Sequence, residues 1–330
     1  MSTNLFPIRF GVLGAAKIVP NALTTPAREV DGVEVVAVAA RDPQRAREFA
    51  TVNQIPRVVR SYDELISDPE IDVIYNPLPN SLHCEWSIRA MRAGKHVLCE
   101  KPIASNAIEA EQMARVAKET GRILVEAFHY HYHPLAERVR SIIQGGQLGK
   151  LSYVEGVFTV PIPPDNIRYD LSLAGGATMD LGCYPLHMIT HFTGLRAKVL
   201  RAKAVNGPER IDVTMETDLE LAGGVAARMK CSMATDSTIS ATFSARGERG
   251  ELNVVNPVGP HWGNQLTIKI GGEEKRESIK GDATYTYQLR AFAALIRGEG
   301  TFPTDADDAI ANMTLIDDVY RASGLGIRAA

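Results

Sequence analysis

The chain has 330 residues, 45% of them hydrophobic and 23% charged, with a formal net charge of −3. This is the balance of a globular protein with room for two domains, and its slight acidity speaks against general nucleic-acid binding, which needs a basic surface. No apolar run approaches the roughly 20 residues that cross a bilayer, and Met1 to Pro7 lacks the basic and apolar regions of a signal peptide.

Strands and helices alternate over the first part of the chain. Ile8 to Leu13 reads as a buried strand, followed by a helix over Pro20–Ala27. Glu34 to Ala40 is a second strand, and Pro43 to Val52 a helix capped by Asp42 with proline at its first position. Ser61 stands three residues before Glu64 in capping-box spacing. Strands are expected over Ile71–Asn76, His96–Cys99 and Ile123–Phe128, with helices over Leu82–Ala93 and Ile108–Glu119 between them. Such alternation indicates a parallel, doubly wound sheet of the Rossmann type.

The turn after the first strand, Gly11-Val-Leu-Gly14-Ala-Ala16-Lys17-Ile18, suits a dinucleotide. Gly14 permits the tight turn, and a small residue at Ala16 lets the backbone approach a pyrophosphate, although the usual second glycine is absent. The helix N-terminus beyond offers N–H groups and a positive dipole end to that anion. Gly14, Ala16, Lys17 and Ile18 are therefore candidate cofactor contacts. The second strand ends Ala39-Ala40-Arg41-Asp42. An acidic residue there favours NAD, whereas Arg41 suits the 2′-phosphate of NADP. With Asp42 occupied as a helix cap, NADP is the expected cofactor and NAD stays open.

Lys101, in Glu100-Lys101-Pro102, follows the apolar run Val97-Leu98-Cys99. The carboxyl end of a parallel strand is where open α/β sheets bind ligands. A lysine there can hold a hydroxyl or carbonyl oxygen beside a nicotinamide.

The rhythm changes near residue 151. Leu151 to Val160 alternates as a strand, and Leu181 to Phe192 has helical spacing. Asp180, Tyr184, His187 and His191 fall on one face of such a helix. Pro185 places the helix start close to Tyr184 and leaves Asp180 to the preceding loop. Tyr184 can accept a substrate proton if a nearby ammonium lowers its pKa, which makes Lys101 and Tyr184 a sensible acid/base pair.

The run His129-Tyr-His131-Tyr-His133 resembles a strand-borne zinc site, but no carboxylate with ligand spacing follows. No metal is expected; His129 and His131 are assigned to the mouth of a polar substrate pocket and His133 to a helix cap. Cys84, Cys99, Cys183 and Cys231 have neither metal spacing nor disulfide density, which suits free thiols and a cytoplasmic location.

With these residues in place, the chain resembles the glucose–fructose oxidoreductase / inositol dehydrogenase (Gfo/Idh/MocA) family. The likeness rests on the glycine loop, Asn76-Pro-Leu-Pro79-Asn80-Ser-Leu-His83, Glu100-Lys101-Pro102, Glu126-Ala-Phe and Gly175-Gly-Ala-Thr-Met-Asp180-Leu-Gly-Cys-Tyr184. The second-strand end is similar to that of dihydrodiol dehydrogenases, which use NADP. The resemblance implies an α/β fold: a Rossmann domain over residues 1–127, then an α+β domain over 128–330 with a large, mostly antiparallel open sheet. It also allows the C-terminal helix to pack back on the first domain. It implies Lys101 in the active site, Tyr184 as acid/base, Asp180 as a substrate or orienting contact and His187 as a substrate contact. Pro79, Asn80, His83 and Glu100 would line the nicotinamide half of the cofactor site. The implied activity is hydride transfer between nicotinamide and a hydroxyl-bearing carbon of a sugar, cyclic polyol or trans-dihydrodiol. The implied assembly is a homodimer or homotetramer through the C-terminal sheet. A cofactor sensor without chemistry, and redox-neutral sugar chemistry on a retained cofactor, are the alternatives on the same fold.

Overall fold

A computed structural model describes residues 6–329. The chain divides into two compact units, Met1–Phe128 with Tyr285–Ile310, and His129–Thr284 with Ala311–Ala330. The first unit is therefore entered twice.

In the first unit six strands, β1 (Ile8–Leu13), β2 (Val33–Ala39), β3 (Arg57–Val59), β4 (Val73–Asn76), β5 (His96–Cys99) and β6 (Leu124–Glu126), lie in the order β3-β2-β1-β4-β5-β6. All pair in parallel. Their side chains are buried on both faces, among them Phe10, Val12, Val38, Ile74 and Leu98. This is why the strands read as near-continuous apolar runs. The strand order reverses between β1 and β4, the switch point outside which such sheets bind ligands.

The connections are a wide π-type turn, Pro20–Thr24, running into α1 (Thr25–Ala27), then α2 (Pro43–Asn53), α3 (Tyr62–Ser67), α4 (His83–Arg92) and α5 (Ala107–Thr120). Asp42 caps α2 by accepting from the Gln44 and Arg45 amides, and Ser61 caps α3 from Glu64. The returning segment is integral to this unit. Phe292, on helix Thr284–Ile296, packs its ring against Phe10 (5.9 Å) and Phe302 (6.0 Å). Thr304 covers the outer end of β6, accepting from the Glu126 amide (3.1 Å) and donating its hydroxyl to the Glu126 carbonyl (2.7 Å).

The second unit is built on eight strands, β7 (Leu151–Thr159), β8 (Ala197–Asn206), β9 (Asp212–Leu221), β10 (Val225–Ser232), β11 (Ser240–Gly247), β12 (Gly250–Val255), β13 (Gln265–Ile270) and β14 (Glu273–Glu277). Their order is β14-β13-β12-β11-β7-β10-β9-β8, antiparallel except for the β7–β10 pair. Helix α6 (Pro134–Gln144) is capped by His133, whose Nδ1 accepts from the Leu135 amide. Helix α7 (Cys183–Thr193) lies on the sheet at the central strand. A Cβ on Gly156 of β7 would stand 2.7 Å from Pro185 Cβ, so glycine at that point lets helix and strand approach.

Two local expectations are corrected. The segment after Glu126 is not extended: β6 stops there and His129–Tyr132 forms a 3₁₀ turn, so the histidines do not share a strand face. Asp180 is not in a loop but on a wide π-type turn, Thr178–Gly182, that runs into α7. Proline contributes no amide donor, and an irregular opening turn accommodates that loss at Pro185. Strands β3 and β14 were not anticipated. Among the described residues, no helix is long and apolar enough to cross a membrane.

Candidate active site

In the first unit the candidate residues gather on loops at the carboxyl ends of β1, β2, β4 and β5. Gly14 has φ +83°, and a Cβ on it would lie 3.1 Å from Leu78 Cδ2 and 3.7 Å from the Tyr62 hydroxyl oxygen. Only a residue without a side chain makes this turn and leaves its backbone bare to a ligand. Ala15 packs with Ala40, Ala46 and Phe49, which fixes the loop against α2. Ala16 and Ile18 are half-buried and Lys17 is exposed.

Arg41 is exposed at the end of β2. Sequence reasoning missed its companion Arg45, whose Nη2 donates to the Ala15 carbonyl over 2.9 Å. Burial raises the Tyr62 phenol above its usual value, against the opposing charges of Arg41 and Arg45. Both guanidinium groups therefore stand near Tyr62, beside the glycine turn. The signal was an arginine repeated four residues on, across the Asp42 cap. Asp42 is held below the ordinary carboxylate range by the amides of Arg45 and Gln44, as befits a cap. A bare glycine turn flanked by two cations fits a phosphorylated dinucleotide.

The loops after β4 and β5 are braced together. His83 is buried, with Nδ1 2.8 Å from the Pro102 carbonyl and Nε2 2.7 Å from the Leu78 carbonyl. Burial lowers its pKa to about 4, so the ring is neutral at pH 7. A neutral ring donates to only one of these two carbonyls, so His83 is held by one hydrogen bond while its other nitrogen faces the second carbonyl. Pro79 and Asn80 are half-buried. Tyr75 donates to Glu100 Oε1 over 2.6 Å, deep in the sheet. Lys101 is half-buried, and its charge acts on both His83 and Glu126. Glu126 accepts from the Ile103 amide (2.8 Å), tying the loop that carries Lys101 to β6. Burial, then the charge of Asp308, raises its carboxyl well above the usual range.

In the second unit the turn His129–Tyr132 runs along α7. The Tyr184 ring is 4% exposed and meets Phe158 (5.4 Å), His129 (5.9 Å) and Tyr130 (6.0 Å). Its hydroxyl lies 3.1 Å from His129 Nε2, and His129 Nδ1 lies 2.8 Å from Thr284 Oγ1. His129 thus has the Tyr184 hydroxyl at one ring nitrogen and Thr284 at the other. Thr284, 155 residues away, left no local signal.

One turn further along α7, the Tyr130 hydroxyl lies 2.6 Å from His187 Nδ1, and His187 stacks on His191 with ring centroids 5.1 Å apart. His187 is buried in this cluster. His131 packs edge-on against His191 (3.9 Å). Burial, with His191, His187 and Arg140 nearby, lowers its pKa to about 2. Asp180 pairs with Arg168 at 2.5 Å.

Two family profiles match this chain. Residues 8–128 match the oxidoreductase family, NAD-binding Rossmann fold, and residues 136–253 match the GFO/IDH/MocA C-terminal domain. D-xylose 1-dehydrogenase (NADP(+)) 2 of Haloferax volcanii is 33% identical over 319 residues, covering 96% of this chain and 98% of that protein. Trans-1,2-dihydrobenzene-1,2-diol dehydrogenase of Bos taurus is 34% identical over 272 residues, covering 81% and 79%. A solved 3-ketoreductase from Actinomadura kijaniata, in complex with NADP and TDP-benzene, aligns with a TM-score of 0.89 at 29% identity, covering 96% of this chain and 98% of that one. With both profiles matched and relatives above 30% identity spanning nearly its full length, the chain belongs to the GFO/IDH/MocA family of oxidoreductases.

Proposed function

We propose that this protein is an NADP-dependent dehydrogenase or reductase of a sugar, cyclic polyol or trans-dihydrodiol. Tyr184 exchanges the hydroxyl proton and Lys101 polarises the same oxygen. The observation that carries this reading is the Tyr184 hydroxyl, a polar tip set among aromatic rings and held 3.1 Å from an imidazole. A group that trades protons with substrate needs such a partner and such shelter from water. Relatives named for a sugar, a diol and a ketone support the substrate class.

In this reading Gly14, Ala16, Lys17 and Ile18 cradle the pyrophosphate, and Arg41 with Arg45 takes the 2′-phosphate. Pro79, Asn80 and Glu100 border the nicotinamide half, with His83 bracing them. When bound, NADP supplies the hydride acceptor for oxidation, or in reduced form the donor for reduction. Lys101, as a point charge, stabilises oxyanion character on the reacting oxygen. Asp180 and His187 are assigned to orienting substrate, and His129 and His131 to lining its pocket. Assembly through the eight-stranded sheet as a homodimer or homotetramer, and residence in the cytoplasm, complete the proposal; four free, buried cysteines suit a reducing compartment.

The test is fluorescence titration with NADPH and NADH, then a panel of aldoses, cyclic polyols and trans-dihydrodiols with NADP. Tyr184→Phe is expected to keep NADPH affinity and lose most turnover. Undiminished turnover in that variant would sink the assignment of Tyr184.

A further inference from the structure

We infer that His129 is the proton store for Tyr184, with Thr284 fixing its tautomer. The inference rests on the reading of Tyr184 as acid/base given above. Tyr184 is 4% exposed and faces the rings of Phe158 and Tyr130, where a resting phenolate would be poorly solvated. The hydroxyl instead has His129 Nε2 at 3.1 Å, and His129 Nδ1 has Thr284 Oγ1 at 2.8 Å. His129 is 4% exposed and Thr284 fully buried, so neither contact is a passing surface bond.

A hydroxyl that donates to Nε2 requires the neutral imidazole to carry its proton on Nδ1 and to donate it to Thr284 Oγ1. That arrangement is ready for oxidation. As the substrate carbon loses hydride to the nicotinamide, the substrate hydroxyl passes its proton to the Tyr184 oxygen. The proton already on Tyr184 moves to His129 Nε2. The products are a carbonyl, reduced cofactor, a neutral Tyr184 and an imidazolium that keeps its Nδ1–H on Thr284. Reduction runs the same transfers backward. Tyr184 is then a conduit that never carries a full negative charge, and His129 is a positioning residue that acts through it. A histidine merely lining a substrate pocket has no need of partners at both nitrogens.

Two measurements on the full chain test this. The first is nitrogen NMR of ¹⁵N-histidine-labelled protein near pH 7, with the His129 signals assigned by their loss in His129→Gln. Protonation at Nδ1, perturbed in Tyr184→Phe and in Thr284→Val, is expected. Protonation at Nε2 overturns the inference, because that nitrogen then has no room for a proton from Tyr184. This arm needs neither substrate nor turnover.

The second uses whichever compound of the panel turns over with NADP. His129→Gln keeps a hydrogen bond to the tyrosine but accepts no proton. It should lower kcat by about 100-fold with KM within about twofold, and abolish the acidic limb of kcat/KM. Thr284→Val should lower kcat by about tenfold. If His129→Gln keeps wild-type kcat and its acidic limb while Tyr184→Phe is inactive, the store is not His129 and the Tyr184 reading stands. If Tyr184→Phe is itself fully active, the underlying reading has failed instead.

Discussion

Arg328 donates from Nη2 to Asp212 Oδ1 over 2.6 Å, with both side chains buried. The Arg328 guanidinium lies 4.2 Å from the centre of the Tyr320 ring and also donates through Nε to the Gly175 carbonyl (2.9 Å). Asp212 accepts in addition from the Thr178 amide (2.7 Å) and the Tyr320 hydroxyl (3.0 Å). Burial raises the Asp212 carboxyl, and Arg328 opposes that rise. The network thus grips the turn that leads into Asp180 and Tyr184 from both sides. Arg328→Met leaves a buried carboxylate without its cation and should cost about 3–5 kcal/mol. Urea unfolding of Arg328→Met, Asp212→Asn and the double variant measures this. The double variant is expected to be more stable than the sum of the singles.

Gly156 sets how closely α7 approaches the sheet. A methyl group there meets Pro185 at 2.7 Å, one residue from Tyr184. Gly156→Ala should destabilise by about 1–3 kcal/mol through overpacking. It should also lower kcat while leaving NADPH affinity unchanged, since the first unit is untouched. A calorimetric scan and a fluorescence titration check the two halves of this expectation.

Arg41→Ala and Arg45→Ala should each weaken NADPH binding far more than NADH binding. A charge-assisted bond to a phosphate contributes about 1.5–3 kcal/mol, or roughly 10- to 100-fold in Kd. Arg45→Ala also removes the bond to Ala15 and should therefore weaken NADH slightly as well. Equal losses for both dinucleotides would assign the two arginines to the pyrophosphate loop alone.

Stability should fall on the acidic side of neutrality. Burial depresses His83 and His133 to about 4 and His131 to about 2, all below the usual value of 6.5. As pH drops below 6.5 the unfolded chain takes up protons that the native histidines refuse, so the native state loses ground. Each site contributes at most about 1.4 kcal/mol per pH unit. For His83 and His133 the loss levels off near pH 4; for His131 it continues toward pH 2. Glu126, raised by burial, acts in the opposite sense, because native protein holds that proton more tightly. Thermal unfolding between pH 7 and 5 should show a falling Tm, with a shallower fall in His131→Phe.

The strands and helices of the first unit were legible because parallel strands buried on both faces write uninterrupted apolar runs, and because Asp42, Ser61 and Gly121 mark helix ends. Strand β14 was not, since Glu-Glu-Lys-Arg-Glu has no alternation to read; charges protect an edge strand from pairing with another chain. Of the proposed site, Lys101 and Tyr184 stood out through strand-end and helix spacing. The partners of His129 did not, because Thr284 meets it only through the tertiary fold. Alternating His and Tyr suggested a strand, but three residues after Glu126 the chain tightens into a 3₁₀ turn and hands its rings to α7 one by one.

Thr304 bears on the order in which this protein can be made. A nascent chain that has delivered Phe128 has all six strands of its first sheet, yet Glu126 still lacks the two bonds that Thr304 brings from far downstream. Until then the rim of β6 is a free template for pairing with a neighbour. An isolated fragment of residues 1–128 should therefore self-associate. A peptide of residues 284–310 added in trans should return it to monomers, as light scattering would record; persistent aggregates would place the exposed surface elsewhere.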